Sequence, residues 1–303
     1  MSQPAPSTKV AELYTLPTHV AADWKRAVAA ETCSFIGTKC RKNRKSASTV
    51  TIGTCTMLYG RHRQPTVICP LRFLERRQIF HDCLHLLTLH EPGNELRIVA
   101  ELAVPGGSVD YCLVSVRGGR VRDFVGIELQ SIDTTGTVWP ERQRFIRAFG
   151  IKVRRDDAAS VKSFGMNWKM TAKTGLNQLH HKVATFDHVS KRFVLVLQDC
   201  LLQYLRGEYA FDHIQGQRDG DPMQFHVYEL KQEHGGYRLN LKERLSTDVA
   251  GTAQCLGLKA DMKVELQTMV AAIEAKLPQS TLLTVGGALP VPAELDTEAD
   301  EDA

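Results

Sequence analysis

Apolar residues recur at alternate positions in three consecutive stretches, ELRIVAELAV (95–104), VDYCLVSVR (109–117) and RVRDFVGIELQSI (120–132). That is the period of a β-strand with one buried face. Arg117-Gly118-Gly119-Arg120 supplies a hairpin turn between the last two. Helical spacing appears in VAADWKRAVAAE (20–31), LRFLERRQIFHDCLHLLTLH (71–90), ERQRFIRAFG, NWKMTAKTGLNQLHHKVA, DCLLQYLRGE and DMKVELQTMVAAIEAKL (261–277). KRFVLVLQ (191–198) is almost wholly apolar, as in a central strand buried on both faces. MQFHVYEL and YRLNLKERL read as a later strand pair. The order predicts an α/β fold, a mixed sheet flanked by helices. Residues 1–9 and about 287–303 read as disordered tails.

Charge changes this picture. The chain carries 38 lysines and arginines against 34 acids, a formal net charge of +4. Six of those acids lie in the last ten residues, ELDTEADEDA, which hold no base. The body is therefore distinctly basic, which suits a polyanionic partner such as nucleic acid. No apolar run is long enough to span a bilayer, and the N-terminus lacks the basic and apolar regions of a signal peptide. The expectation is a cytoplasmic protein without a membrane partner.

Within FVGIELQSIDTTG (124–136), alternation puts Glu128 and Gln130 on one face of the strand, and Val125, Ile127 and Leu129 on the other. Gly126 leaves room on the polar face. Asp110 heads the preceding strand, and Glu101 lies on the strand before that. A two-residue turn pairing Arg117 with Arg120 would set Asp110 opposite Ile127, on the wrong face. One bulge, or a three-residue turn, would bring Asp110 opposite Glu128. Two carboxylates on one face suit a hard divalent cation such as Mg²⁺, and such a metal promotes phosphodiester hydrolysis. A neutral amide at position 130 can accept from a water and donate to a phosphate oxygen. Taken alone, Glu128 and Gln130 are better explained as a half-exposed polar strand face; Asp110 at the head of the paired strand brings the two readings level.

Of the eight cysteines, four are clustered as Cys33-x6-Cys40-x14-Cys55-x13-Cys69, and Cys83, Cys112, Cys200 and Cys255 are scattered. The spacing matches no standard zinc finger. Cys55 nevertheless follows a glycine in IGTC, and Cys69 precedes a proline. Four thiolates suit one tetrahedral zinc or iron; four unrelated buried cysteines are the alternative. Lys39, Arg41, Lys42, Arg44, Lys45, Arg61 and Arg63 thread this region, and Arg142 and Arg144 lie in the helix after Asp133. They are candidate DNA contacts, either to base edges or to phosphates alone.

These segments together resemble the NotI/EagI group of type II restriction endonucleases. ETCSF is similar to that group's Cys-Pro-Phe element, with serine for proline. IGTC and VICPLR are similar to its later cysteines and its Cys-Pro-x-Arg. VDYCLV is similar to its Asp-Trp strand, with tyrosine for tryptophan. VGIELQSIDTTG resembles its Glu-x-Gln-x-x-Asp-x-x-Gly segment, and FGMNW extends the likeness. The resemblance implies a PD-(D/E)xK nuclease core with an N-terminal four-cysteine metal-binding module. It implies Asp110, Glu128 and Gln130 as the catalytic set; Glu101, from its place on the previous strand, is a candidate additional acid. It implies Cys33, Cys40, Cys55 and Cys69 as ligands of one structural metal, iron rather than zinc. It further implies a bacterial homodimer that cuts a GC-rich palindrome in double-stranded DNA with Mg²⁺, beside a cognate DNA methyltransferase.

The expected division is an N-terminal tail (1–19), a four-cysteine region (20–70), a nuclease core with DNA-recognition elements (71–286) and an acidic tail (287–303). Two other functions compete with a restriction endonuclease. One is a non-catalytic, sequence-specific DNA-binding regulator built on the cysteine site. The other is a structure-specific repair nuclease of the same fold.

Overall fold

The three alternating stretches form paired strands, although the first is exposed on both faces rather than buried on one. In the computed structural model, β1 (Glu95–Val104), β2 (Gly107–Arg117) and β3 (Arg120–Gln130) form an antiparallel meander. The structure describes residues 8–257 apart from 45, 106 and 234, together with residue 275. The chain divides into units of residues 1–259 and 260–303, and the fold set out below is that of the first. Apart from residue 275, the helix expected over 261–277 lies outside the described residues.

The meander continues into β4 (Arg192–Gln198), β5 (Gln215–Gly216), β6 (Met223–Glu233) and β7 (Gly236–Thr247). The result is one seven-stranded mixed sheet in the order β5-β7-β6-β4-β3-β2-β1. β4 runs parallel to both β3 and β6. Its residues Phe193 to Gln198 are all buried, which is why its sequence is a continuous apolar run. Helices α1 (Trp139–Ala148), α2 (Trp168–His188) and α3 (Asp199–Glu208) connect the strands. Leu176, Leu179, Val183 and Phe186 of α2 and Leu201 and Leu205 of α3 pack with Cys112, Val114, Leu195 and Leu197 on one sheet face. Leu113, Val125, Ile127, Leu129 and Val194 face the opposite layer, which holds Phe73, Leu74, Ile79 and Phe80.

That second layer departs from the predicted helix over 71–90. It consists of a 3-10 turn, Pro70–Arg77, a short helix, Gln78–Asp82, and a second 3-10 turn, Leu84–Leu86. The break falls at Arg76 and Arg77, whose φ values of +52° and +57° are left-handed. Just before it, the Glu75 carboxylate accepts from Arg72, Arg238 and the Leu239 N–H. These bonds draw the chain onto β7 and out of a helical path. Apolar spacing reports only which side chains are buried, so it carries no sign of this break.

The N-terminal nineteen residues, expected as a tail, include a strand, Val10–Leu13, that is buried throughout. It joins Leu16–Pro17, Thr54–Tyr59 and Gln64–Val67 in a four-stranded sheet. Gln198, at the end of β4, accepts from the Val67 N–H (2.9 Å) and donates to the Pro65 carbonyl (2.7 Å). The cysteine region is therefore stitched to the large sheet within one compact unit.

Gly126 has a different role from the one expected. The space beside it is filled by Phe186 of α2, whose ring atoms would lie 2.4 and 2.6 Å from an added Cβ. Gly126→Ala should destabilise the fold by about 1–3 kcal/mol through overpacking. A lowered denaturant midpoint with unchanged slope would show it.

Candidate active site

The hairpin between β2 and β3 closes on Gly118 and Gly119, both with positive φ, and pairs Arg117 with Arg120. Val116 pairs with Val121, but Ser115 pairs with Asp123, so Arg122 is an extra residue in β3. This is the one-residue irregularity that the alignment of the acids requires. Asp123 holds the bulge in place. Its buried carboxylate accepts from Lys191 (2.7 Å), the Leu89 N–H (2.8 Å) and its neighbour's Phe124 N–H (2.9 Å).

Beyond the bulge, Tyr111 pairs with Ile127, and the next step along sets Asp110 across from Glu128. The Leu129 N–H donates to Asp110 Oδ2 at 2.8 Å. On the other side, the pairs Val109–Leu102 and Tyr111–Ala100 put Glu101 across from Asp110. Glu101 is exposed and has a left-handed φ of +54°. Three acids from three adjacent strands thus stand in one row across the sheet.

Helix α2 covers this row. The Gln130 amide lies against Gly175, where an added Cβ would meet Gln130 Oε1 at 2.9 Å. Gln130 Nε2 donates to the Ser131 carbonyl at 2.9 Å. Lys182 Nζ sits 2.6 Å from Glu128 Oε1. Sequence reading missed Lys182. The signal was a lone lysine within the inward stripe Leu179, Val183 and Phe186.

The electrostatics favour an added cation. Burial pushes the Asp110 carboxyl above its ordinary range, and Glu101 adds to this against the Leu129 N–H and Lys182. Burial also raises Glu128, opposed by its bond to Lys182 and reinforced by the charge of Asp110. Glu128 Oε2 is buried with no hydrogen-bond partner. Two carboxylates short of positive charge, one with an orphaned oxygen, fit a hard divalent cation.

The cysteines are arranged differently. Cys33 ends the strand Thr32–Cys33, Cys40 follows the strand Thr38–Lys39, Cys55 lies in Thr54–Tyr59, and Cys69 caps the turn Pro70–Arg77. Burial raises the Cys33, Cys55 and Cys69 thiols, and the charge of another of the four cysteines adds to each rise. Burial pushes the Cys55 thiol well up. All eight cysteines are free thiols. Among the described residues, no group of three or more His, Cys, Asp or Glu side chains is set to hold a metal ion. The glycine of IGTC is required locally, because Gly53 has a φ of +72° and a Cβ there would lie 2.5 Å from the Tyr14 ring.

The bases divide into two sets. Lys39, Arg41, Arg61, Arg63 and Arg144 are exposed. Lys39 pairs with Glu31 (2.7 Å), and Arg144 pairs with Glu141 (2.9 Å). Arg44 is half-buried over the Trp139 ring. Two bases expected to face DNA turn inward instead. Arg142 is buried, donating to the Ile52 carbonyl (2.7 Å) and the Tyr14 hydroxyl (2.9 Å). The Lys42 ammonium donates to the Ile68 carbonyl at 2.7 Å. Lys45 lies outside the described residues.

The family model described as restriction endonuclease NotI matches residues 22–241, most of the chain. The class follows from that match: the protein is a type II restriction endonuclease, a site-specific deoxyribonuclease that binds and hydrolyses DNA. The chain belongs to the NotI restriction endonuclease family. No curated protein matches it. Among the described residues, no helix is long and apolar enough to cross a membrane.

Proposed function

We propose that the chain cuts both strands of a GC-rich palindromic site by Mg²⁺-dependent phosphodiester hydrolysis, using Asp110, Glu128 and Gln130 on a core of the PD-(D/E)xK type. The observation that carries this reading is the bulged register, which sets Asp110 across from Glu128 while Glu128 Oε2 stays buried and unpartnered. Asp110 and Glu128 would hold the cation through oxygen, and a bound Mg²⁺ would polarise the scissile phosphate and acidify a water. Gln130 would orient the attacking water through Oε1. Its Nε2 keeps one N–H on Ser131 and offers the other to a phosphate oxygen. Glu101, at the exposed end of the row, is an additional acid.

The enzyme acts as a homodimer whose two-fold axis matches the palindrome. It works in the bacterial cytoplasm beside a DNA methyltransferase of the same specificity. The exposed bases Lys39, Arg41, Arg61, Arg63 and Arg144, with Arg44 beside them, contact the duplex. Digestion of a plasmid library carrying GC-rich palindromes, with the cut ends mapped, tests the reading. Mg²⁺-dependent double-strand ends at one palindrome support it. Binding without cleavage, or cuts irrespective of sequence, would overturn it.

Cys33, Cys40, Cys55 and Cys69 hold one structural iron or zinc. The donor set of four thiols supports this part of the reading. Elemental analysis should give one metal per chain, and Cys55→Ser should lose it. A visible thiolate band would mark ferric iron, since zinc is colourless. Metal-free wild-type protein with an unchanged melting temperature would sink the proposal.

A further inference from the structure

We infer that Lys182 is a further catalytic residue of the active site, supplying from helix α2 the ammonium that the strand lacks at Gln130. The inference rests on the reading of Asp110 and Glu128 as the catalytic acids. Lys182 is the cation bonded to that row, with its Nζ 2.6 Å from Glu128 Oε1. Its side chain is only 4% exposed. It interrupts an inward apolar stripe where a leucine would pack without the cost of burying a charge. Such a placement calls for a reason beyond packing.

The surroundings fix where the ammonium sits. Its stem runs past Gly107, where a Cβ would lie 3.6 Å from Lys182 Cε. Thr185, one turn on, donates to the Pro105 carbonyl at 3.0 Å and ties α2 to the β1–β2 turn. Gly175, two turns earlier, admits the Gln130 amide. One helix therefore contacts both Glu128 and Gln130.

The bonding is incomplete on both sides of the ion pair. An ammonium has three N–H donors. Among the described residues, Glu128 Oε1 is its hydrogen-bond acceptor. The other carboxylate oxygen, Oε2, has no partner. A pair serving stability alone would be closed by further acceptors and donors. Here Lys182 fixes one oxygen of Glu128, which leaves Oε2 free to ligate a cation. The spare N–H groups are available to the attacking water or to a phosphate oxygen.

The test uses Lys182→Met and Lys182→Arg in the full-length chain, with a plasmid fragment that the wild type cuts. Three quantities are read: thermal unfolding without metal, fragment binding in Ca²⁺, and single-turnover cleavage in saturating Mg²⁺. Lys182→Met should bind the fragment within a few-fold of wild type yet cleave about 100-fold more slowly, the scale of one lost transition-state donor. Lys182→Arg should recover at least about tenfold of that loss by restoring a donor of similar reach. A purely structural role would lower the melting temperature and DNA binding together with the rate. Cleavage by Lys182→Met within about fivefold of wild type, or no recovery with arginine, would overturn the inference. If neither variant folds, the role is structural and the inference falls. Glu128→Gln, made in parallel, separates the two readings. If it cleaves normally, the assignment of the site itself is wrong. If it is inactive while Lys182→Met is active, only the role of Lys182 is wrong.

Discussion

Asp110→Asn and Glu128→Gln should each slow single-turnover cleavage by on the order of 10³-fold or more while leaving DNA binding intact. Each change removes one oxygen charge from a two-carboxylate site and keeps the size of the side chain. The Leu129 N–H bond to Asp110 Oδ2 can still be made to the asparagine oxygen, so the hairpin register survives. The two variants should differ in stability. The folded pKa of Asp110 is raised, by burial and then by the charge of Glu101. An acid with a raised folded pKa costs stability once pH climbs through the window between its unfolded and folded values, and the cost persists above it. Asp110→Asn removes that cost, so metal-free protein at neutral pH should melt at a higher temperature than wild type. Glu128→Gln leaves the buried Lys182 without its carboxylate and should show no such gain. If both variants cleave at near wild-type rates, the assignment of the site fails.

The acid row was legible in the sequence because alternation fixes the faces of a strand, and the requirement that two acids meet fixes the register. The shared face of Glu128 and Gln130 and the need for a one-residue irregularity, a bulge or a longer turn, followed from those two facts. The position of the bulge did not. It lies at Arg122 because Asp123 turns inward to Lys191 and Leu89, and these long-range partners leave no local mark. Lys182 was hidden for a similar reason. A lysine within an amphipathic helix reads as surface unless the residue opposite it is known. The same holds for Arg142 and Lys42, which were counted as DNA-facing because charge predicts exposure on average. Their acceptors, the carbonyls of Ile52 and Ile68, belong to distant segments. Side-chain period reports burial and face. It does not report which buried polar groups have found one another.

Arg72→Met should be the most destabilising single change outside the apolar core, at about 3–5 kcal/mol, because it leaves buried carboxylates without their cation. Arg72 is 1% exposed. It donates to Glu12 (2.8 Å), Glu75 (2.8 Å) and the Tyr237 carbonyl (3.0 Å), and its guanidinium lies over the Phe35 ring. One side chain therefore ties the N-terminal strand, the turn after Cys69, strand β7 and the segment after Cys33. A domain of this kind has about 5–15 kcal/mol in total, so the loss should lower the melting temperature by about 10 °C. Arg72→Lys should recover little, since an ammonium cannot match the planar fork. The effect also has a pH signature. Burial works to raise the Glu75 carboxyl, but Arg72, Arg238 and the Leu239 N–H outweigh it, and its pKa ends below the ordinary value. A lowered carboxylate contributes stability above its unfolded pKa and loses it as pH falls through the folded one. In Arg72→Met the main cause of that lowering is gone, and Glu75 becomes cheaper to bury when protonated. The stability gap between wild type and variant should therefore narrow as pH falls through the carboxylate range. A gap that stays constant from neutral pH to that range would show that Arg72 acts through packing on Phe35 alone.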